Sequence, residues 1–317
     1  MSHYIAIPAL LSFIVTLILG PGLIRFLHRL KFGQFIQEDG PQSHLKKSGT
    51  PTMGGVLFLV GILVGSLPFV MKYPKIIPVL FVTIGFGLVG FLDDYIKIVM
   101  KRNLGLTPVQ KMAGQFVVTA VFAFYMIRYS GMSTDILIPF TGGRTLNLGI
   151  LYVPILFFVV LGTVNGANFT DGLDGLASSV TVIIAVFFTV IAVTAQYEIY
   201  PVTSAVIGAL LGFLCFNTYP AKVFMGDTGS LALGGFVASV AFMVKGPLLL
   251  PIVAFIYFAE VLSVIIQVSY YKKTKKRVFK MAPIHHHFEL SGWPETKVVS
   301  IFSIVTAVLC FLGMLAY

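Results

Sequence analysis

Acidic side chains are scarce in this chain: 12 Asp and Glu stand among 317 residues, and charged residues of both signs make up only 11%. An ordinary soluble domain carries roughly 25% charged residues, so the deficit excludes that class. Cysteine is almost missing too. Cys215 and Cys310 lie in apolar stretches and form no CxxC pair, which argues against a disulfide framework or a thiolate metal site and leaves them to pack. No Lys/Arg patch interleaved with stacking aromatics is present, so the net charge of +10 does not indicate nucleic acid. Internal repeats and low-complexity tails are absent, and the polar connections are too short to build a soluble core of their own.

Long apolar runs fill the space. Hydrophobic residues reach 57%, and several runs approach or exceed the roughly 18 residues needed to cross a bilayer. Helices are predicted at 4–24, 54–71, 76–92, 113–130, 150–167, 176–194, 202–216, 229–245, 248–270 and 298–316. The expected fold is an all-α polytopic integral membrane protein of about ten transmembrane helices, a single domain over residues 1–317. The first run, YIAIPALLSFIVTLILGPGLI, has no basic region before it and no small-residue cleavage pattern after it, while Arg25, Arg29 and Lys31 follow. It reads as a retained span rather than a signal peptide.

The basic residues assign the sides. The connections at 25–53, 93–112, 168–175, 217–228 and 271–297 hold every Lys and Arg except Lys72, Lys75, Arg128, Arg144 and Lys245. Because cytoplasmic loops are enriched in Lys and Arg, this group is predicted to be cytoplasmic and both termini periplasmic or extracellular. On the outer side, DILIPF and TLNLGI flank TGGR, a pattern that predicts a small hairpin near 135–149.

In this topology the cytoplasmic acids are Glu38, Asp39, Asp93, Asp94, Asp171, Asp174, Asp227, Glu289 and Glu295. Five of these lie outside the long solvated loops: Asp93 and Asp94 follow GLVGFL, Asp171 and Asp174 sit in NFTDGLDGLA, and Asp227 sits in FMGDTGS. Taken singly, each reads equally well as an interfacial charge or helix cap, with Asp174 placed to cap a helix from Gly175 and Asp227 one from Thr228. Together, the adjacent pair and the i,i+3 pair repel unless a cation or proton intervenes. Mg²⁺ suits such a cluster, since it takes oxygen ligands from one or two carboxylates plus substrate phosphates. Asn168 and Asn217 add neutral donors and acceptors, whereas the glycines at 172, 175, 226 and 229 are common in turns on structural grounds alone.

A basic half accompanies the acids. KMAPIHHHFEL places His285, His286 and His287 in a loop that also holds Lys272, Lys273, Lys275, Lys276 and Arg277. The lysine run reads as a lipid-headgroup patch, whereas histidines can donate to phosphate oxygens in either protonation state. Three adjacent side chains do not converge naturally on a tetrahedral zinc. KKSGTPTMGG supplies Lys46 and Lys47 before the second helix. Lys97 falls on the face of Asp93 if the third helix continues, and Lys111 precedes the fourth; Lys101 and Arg102 read as positive-inside charges. Carboxylates for a metal, with lysines and histidines for phosphate, suggest a diphosphate ligand.

KKSGTPTMGG (46–55), DDYIK (93–97), NFTDGLDGLA (168–177), NTYPAKVFMGDTGS (217–230) and PIHHHFE (283–289), in this order along the whole chain, closely resemble the phospho-N-acetylmuramoyl-pentapeptide transferases. That family belongs to the bacterial polyprenyl-phosphate N-acetylhexosamine-1-phosphate transferases. The resemblance implies transfer of phospho-MurNAc-pentapeptide from UDP-MurNAc-pentapeptide to undecaprenyl phosphate, giving lipid I and UMP, with Mg²⁺ as cofactor. It also implies a cytoplasmic-face active site in the bacterial cytoplasmic membrane, and a homodimer. Matched by motif, Asp227 corresponds to the principal Mg²⁺ ligand, and Asp93 and Asp94 to the catalytic pair. Lys47, Asn168, Asp171, Asp174, Asn217 and Phe224 correspond to the nucleoside pocket, Phe224 being placed to stack on uracil. Lys97 and Lys111 resemble phosphate-side basic residues, Thr52 lies in the matching active-site segment, and His285, His286 and His287 match the histidine motif near the diphosphate and sugar.

Two other functions share parts of this pattern. Sister enzymes that move GlcNAc-1-phosphate share the DD, NxxDGxDG and GD elements but differ in the histidine loop, so PIHHHFE separates them. An ion transporter would place ionisable groups near the bilayer midplane. Only Glu260 lies deep within a predicted helix, and the sequence offers no account of it. A direct attack by the lipid phosphate and a two-step route through a phospho-aspartate both remain open at this stage.

Overall fold

The computed structural model describes residues 2–29, 47, 49–98, 100 and 105–317, so Lys31, Glu38, Asp39, Lys46, Lys101 and Arg102 lie outside the described residues. The helices are α1 (His3–Arg29), α2 (Gly55–Ser66), α3 (Ile76–Ile98), α4 (Pro108–Arg128), α5 (Tyr152–Thr170), α6 (Leu176–Thr194), α7 (Tyr200–Asn217), α8 (Gly226–Met243), α9 (Leu250–Val253), α10 (Phe255–Thr274), α11 (Ile284–Glu289) and α12 (Glu295–Ala316). The predicted hairpin is present as β1 (Asp135–Leu137) antiparallel to β2 (Thr145–Asn147), with Ile136 opposite Leu146.

Each predicted apolar segment is helical. Six helices (α1, α3, α5, α6, α7 and α12) are long and apolar enough to cross a membrane, and α9 with α10 makes a seventh if counted as one broken span. The protein is a multi-pass membrane protein; α2, α4 and α8 are shorter or more polar. One expectation needs correction: 248–270 is not a single straight helix but bends by 82°. The break falls at Ala254, whose backbone (φ −107°, ψ 30°) leaves the helical region.

Helix α8 is the centre of the bundle, with every residue from Thr228 to Met243 buried. A helix apolar on all sides is one surrounded by protein. It packs against α3 and α5, while α1 packs against α7. Without a hydrophobic drive between helices in lipid, small residues that let backbones approach closely carry such contacts. A Cβ on Gly234 of α8 would lie 2.5 Å from Val164 Cα of α5, and one on Gly208 of α7 would lie 1.8 Å from the Ala9 carbonyl oxygen of α1.

Gly208→Val is therefore expected to force α1 from α7 and to destabilise the fold by about 1–3 kcal/mol, as overpacking does. A thermal unfolding midpoint in detergent equal to that of the parent chain would show that this contact does not hold the bundle.

Candidate active site

The polar cluster begins where α3 outruns its apolar segment. The helix continues past the predicted end at 92 to Ile98, so Asp93 and Lys97 stack one turn apart with Lys97 Nζ 2.6 Å from Asp93 Oδ2. Thr107 and Gln110 then form a reciprocal capping box with Pro108 in the first turn, which fixes where α4 starts. That start puts Lys111 in the first turn of α4, its Nζ 3.0 Å from Asp227 Oδ2 and 3.6 Å from Asp93 Oδ2. Lys97 Nζ also lies 2.7 Å from Asp227 Oδ2. Two carboxylates from separate helices thus share two ammonium groups, the compensation that such a gathering of charge requires. Asn168 on α5 donates to Asp227 Oδ1 at 2.7 Å, and the Leu106 amide donates to Asp93 Oδ1 at 2.7 Å.

Asp94 points the other way, into the protein, and is 4% exposed. Its carboxylate accepts from the Asp227 amide (3.1 Å), the Thr228 amide (2.9 Å) and the Thr228 hydroxyl (2.6 Å). Asp94 therefore caps α8 from a neighbouring helix. The capping role considered for Asp227 does not hold: Met225 is the N-cap, no side chain of α8 caps the helix, and the Asp227 carboxylate faces the lysines. Gly226 is required here, because its φ is +69° and a Cβ would lie 2.5 Å from Asp94 Oδ2 and 2.7 Å from Thr52 Oγ1. Thr52 and half-buried Phe224 are placed by backbone pairing, with Gly54 N donating to Phe224 O at 2.8 Å and Phe224 N to Pro51 O at 2.8 Å.

A second cluster lies beside the first. Lys47 Nζ is 2.7 Å from Asp174 Oδ1 and 2.6 Å from Glu295 Oε1. Burial works against the Lys47 charge, but the hydrogen bonds to Asp174 and Glu295 outweigh it and its pKa is raised. Glu295 Oε1 also accepts from the Asp174 amide at 2.6 Å, and Asp174 Oδ2 accepts from the Ala221 amide at 2.9 Å. Asp174 is thus not the cap of α6, whose N-cap is Gly175 with no side-chain bond. Asn217, at the end of α7, donates to Val223 O at 3.0 Å and holds the turn that leads to Phe224. Between the clusters stands Asp171. Burial raises its pKa well above the ordinary carboxylate value, and the charges of Asp227, Asp94 and Asp174 add to the shift.

The three histidines belong to the short helix α11 and face different partners. His285 Nδ1 is 3.0 Å from Glu260 Oε1, His286 Nδ1 is 2.8 Å from Glu289 Oε2, and His287 Nδ1 accepts from the Lys280 amide at 3.1 Å. His285 also packs against Gly172, which ties the histidine loop to NFTDGLDGLA. Glu260, the one acidic residue deep within an apolar helix, is accordingly not an isolated charge but the partner of a motif histidine.

The sequence reading missed Glu295, Thr228 and Ser230 as parts of this assembly. Ser230 accepts from Asn168 at 2.8 Å, and its place one turn after Gly226 in the motif was the available signal. Glu295 carried none beyond its charge, since its role depends on α12 returning to the same face. If Asp94 caps α8, Asp94→Ala should cost about 2–3 kcal/mol through the unpaired amides. Asp94→Asn, which keeps one acceptor, should cost less. Equal unfolding midpoints for Asp94→Ala and the parent chain would contradict the capping role.

Comparison with known proteins places the chain in a family. Residues 76–245 match glycosyl transferase family 4, and residues 47–59 match the phospho-N-acetylmuramoyl-pentapeptide-transferase signature 1. The chain is 54% identical to the phospho-N-acetylmuramoyl-pentapeptide-transferase of Acetivibrio thermocellus over 310 residues, covering 97% of this chain and 93% of the relative. It is 50% identical to that of Clostridioides difficile over 97% of this chain and 96% of the relative. The Clostridium botulinum protein of the same name is 52% identical, over 97% and 94% respectively. With relatives this similar along nearly its full length, the chain belongs to the phospho-N-acetylmuramoyl-pentapeptide transferase family.

Proposed function

We propose that this protein transfers phospho-MurNAc-pentapeptide from UDP-MurNAc-pentapeptide to undecaprenyl phosphate, forming lipid I and UMP at the cytoplasmic face of the bacterial membrane. The observation that carries the reading is the placement of Asp93, Lys97, Lys111, Asn168 and Asp227 together at one end of the helix bundle. A water-soluble donor and a long-chain lipid phosphate can meet only at the bilayer surface, and this cluster supplies charge neutralisation there. Phosphoryl transfer needs positioning and electrostatic stabilisation more than covalent chemistry from the protein.

The donor set suits Mg²⁺. Asp227 Oδ2 and Asp93 Oδ2 both approach the Lys97 and Lys111 ammonium groups, so two carboxylate oxygens already converge on a position of positive charge. Mg²⁺ is commonly held by one or two carboxylates together with substrate phosphates, and Asp227 with Asp93 supplies that number. Asp227 would be the principal ligand, with Asp93 beside it. When bound, Mg²⁺ would neutralise the diphosphate and stabilise the departing UMP.

In the reaction an oxygen of undecaprenyl phosphate bonds to the β-phosphorus of the donor. The bond from that phosphorus to the bridging oxygen breaks, and UMP leaves with the electron pair. Lys97 and Lys111 hold the phosphates, and Asp93 positions the acceptor phosphate and takes its last proton where one remains. Asp94, engaged by three donors, maintains the backbone of α8 rather than touching substrate. Lys47, Asp174, Asn217 and Phe224 frame the nucleoside, with Phe224 offering a face for uracil, and the histidines lie on the sugar and diphosphate side.

The test supplies purified protein with both substrates and Mg²⁺ and measures UMP release and lipid product. Asp227→Ala should lower turnover about 100–1000-fold, the loss expected when a transition-state charge partner is removed. Chelation should abolish turnover, and Mg²⁺ should restore it. Product from UDP-GlcNAc but none from the pentapeptide donor would overturn the substrate assignment. Under direct displacement, labelled UMP should not exchange into the donor until lipid acceptor is added; exchange without acceptor would establish a phospho-enzyme instead.

A further inference from the structure

Glu260 sits in the second turn of α10, on the apolar part of the helix, and is 0% exposed. A carboxylate buried at such a place is costly unless a partner compensates it, and residues of this kind in membrane helices mark function. Its partner is His285, itself 1% exposed, with Nδ1 at 3.0 Å from Glu260 Oε1. A carboxylate only accepts, so Nδ1 carries the hydrogen, and the hydrogen bond at one ring nitrogen sets what the other presents.

The other ring nitrogen has a definite direction. His285 Nε2 is buried with no hydrogen-bond partner among the described residues, and a Cβ on Gly172 would lie 2.1 Å from it. The imidazole therefore occupies the space that any side chain at 172 would take, and its buried nitrogen closes against the loop between Asp171 and Asp174. Buried polar atoms are almost always paired, and both Nε2 and Glu260 Oε2 are left unpaired among the described residues, a cost that the fit of the ring against this loop has to offset.

We propose that Glu260 is the positioning residue for His285: its carboxylate holds the Nδ1 hydrogen and sets the ring against Gly172, which keeps the loop of Asp171 and Asp174 in place for the bound donor. The dyad joins a helix buried in the bundle to a loop of the site, so the histidine keeps one orientation although α11 is only six residues long. The inference rests on the transferase reading, and wild-type turnover with both substrates is the control that separates the two.

The test compares Glu260→Gln, which retains an acceptor for Nδ1, with Glu260→Met, which replaces the buried carboxylate by an apolar chain of similar length and leaves no uncompensated charge. Kinetics are measured on the full chain in detergent. Glu260→Gln should stay within about threefold of the wild-type kcat, a difference below 1 kcal/mol. Glu260→Met should lose about 10–100-fold, the range for removing the partner that orients a functional histidine, with KM for the prenyl phosphate unchanged. Combined with His285→Ala, Glu260→Met should cause no further loss, because both changes remove one unit. Multiplicative losses in the double variant would overturn the inference, as would wild-type kcat in Glu260→Met. Equal loss in Glu260→Gln and Glu260→Met would do so too, because the amide keeps the acceptor. Absence of turnover in the wild type would instead overturn the transferase reading.

Discussion

Helix α3 meets α8 so closely that a Cβ on Gly90 would lie 2.0 Å from the Asp227 carbonyl oxygen, and the remainder of the site depends on that contact. With backbones this near, the Asp94 carboxylate one turn further on reaches the amides that open α8. The amino end of a helix carries unsatisfied N–H groups and partial positive charge, and an anion supplied from a neighbour settles both. Once α8 is tied down there, Asp227 projects from its first turn toward Asp93 and the two lysines. The adjacent aspartates of α3 thus divide their work, Asp94 facing inward to hold the backbone and Asp93 outward to the ammonium groups.

Charge at a membrane face is arranged here as mutual compensation. Lys97 and Lys111 neutralise Asp93 and Asp227, and Lys47 neutralises Asp174 and Glu295. Asp171 lies between these clusters, with its pKa raised by burial and by the other carboxylates. Such an arrangement sets its charges in place without a ligand, each ammonium group held against carboxylates. Pre-set charge of this kind stabilises a transition state without reorganisation during the reaction.

The histidine loop is built on a different constraint. The chain breaks at Ala254, and α10 then carries Glu260 to a buried position where its Oε1 meets a histidine 25 residues later. Gly172 leaves room for that imidazole against the aspartate loop. Segments far apart in sequence are in this way held to one side of one site, and the small residues that permit the helix crossings also permit the polar contacts.

The membrane class, the helical segments, the hairpin near 135–149 and the acidic and basic motifs were all legible in the sequence, because apolar run length, turn residues and motif spacing are local properties. That Asp93, Lys97, Lys111 and Asp227 gather in one cluster was expected as well, since their motifs all fall in connections between apolar helices. Partnership was not. Asp94 and Asp227 look alike as aspartates near helix ends, and only the α3–α8 contact makes one a cap for the other's helix. Glu295 and Glu260 carried no local signal for their roles, because each depends on a return of the chain: α12 to Lys47, and α11 to α10. The break at Ala254 escaped the apolar pattern for a related reason, since a hydrophobic run specifies burial but not direction. What the sequence determined by itself was which segments form apolar helices and which side chains are available for chemistry. Tertiary structure alone decided which charge answers which, because electrostatic and hydrogen-bond partnership falls off within a few ångströms and those distances are set by helix packing.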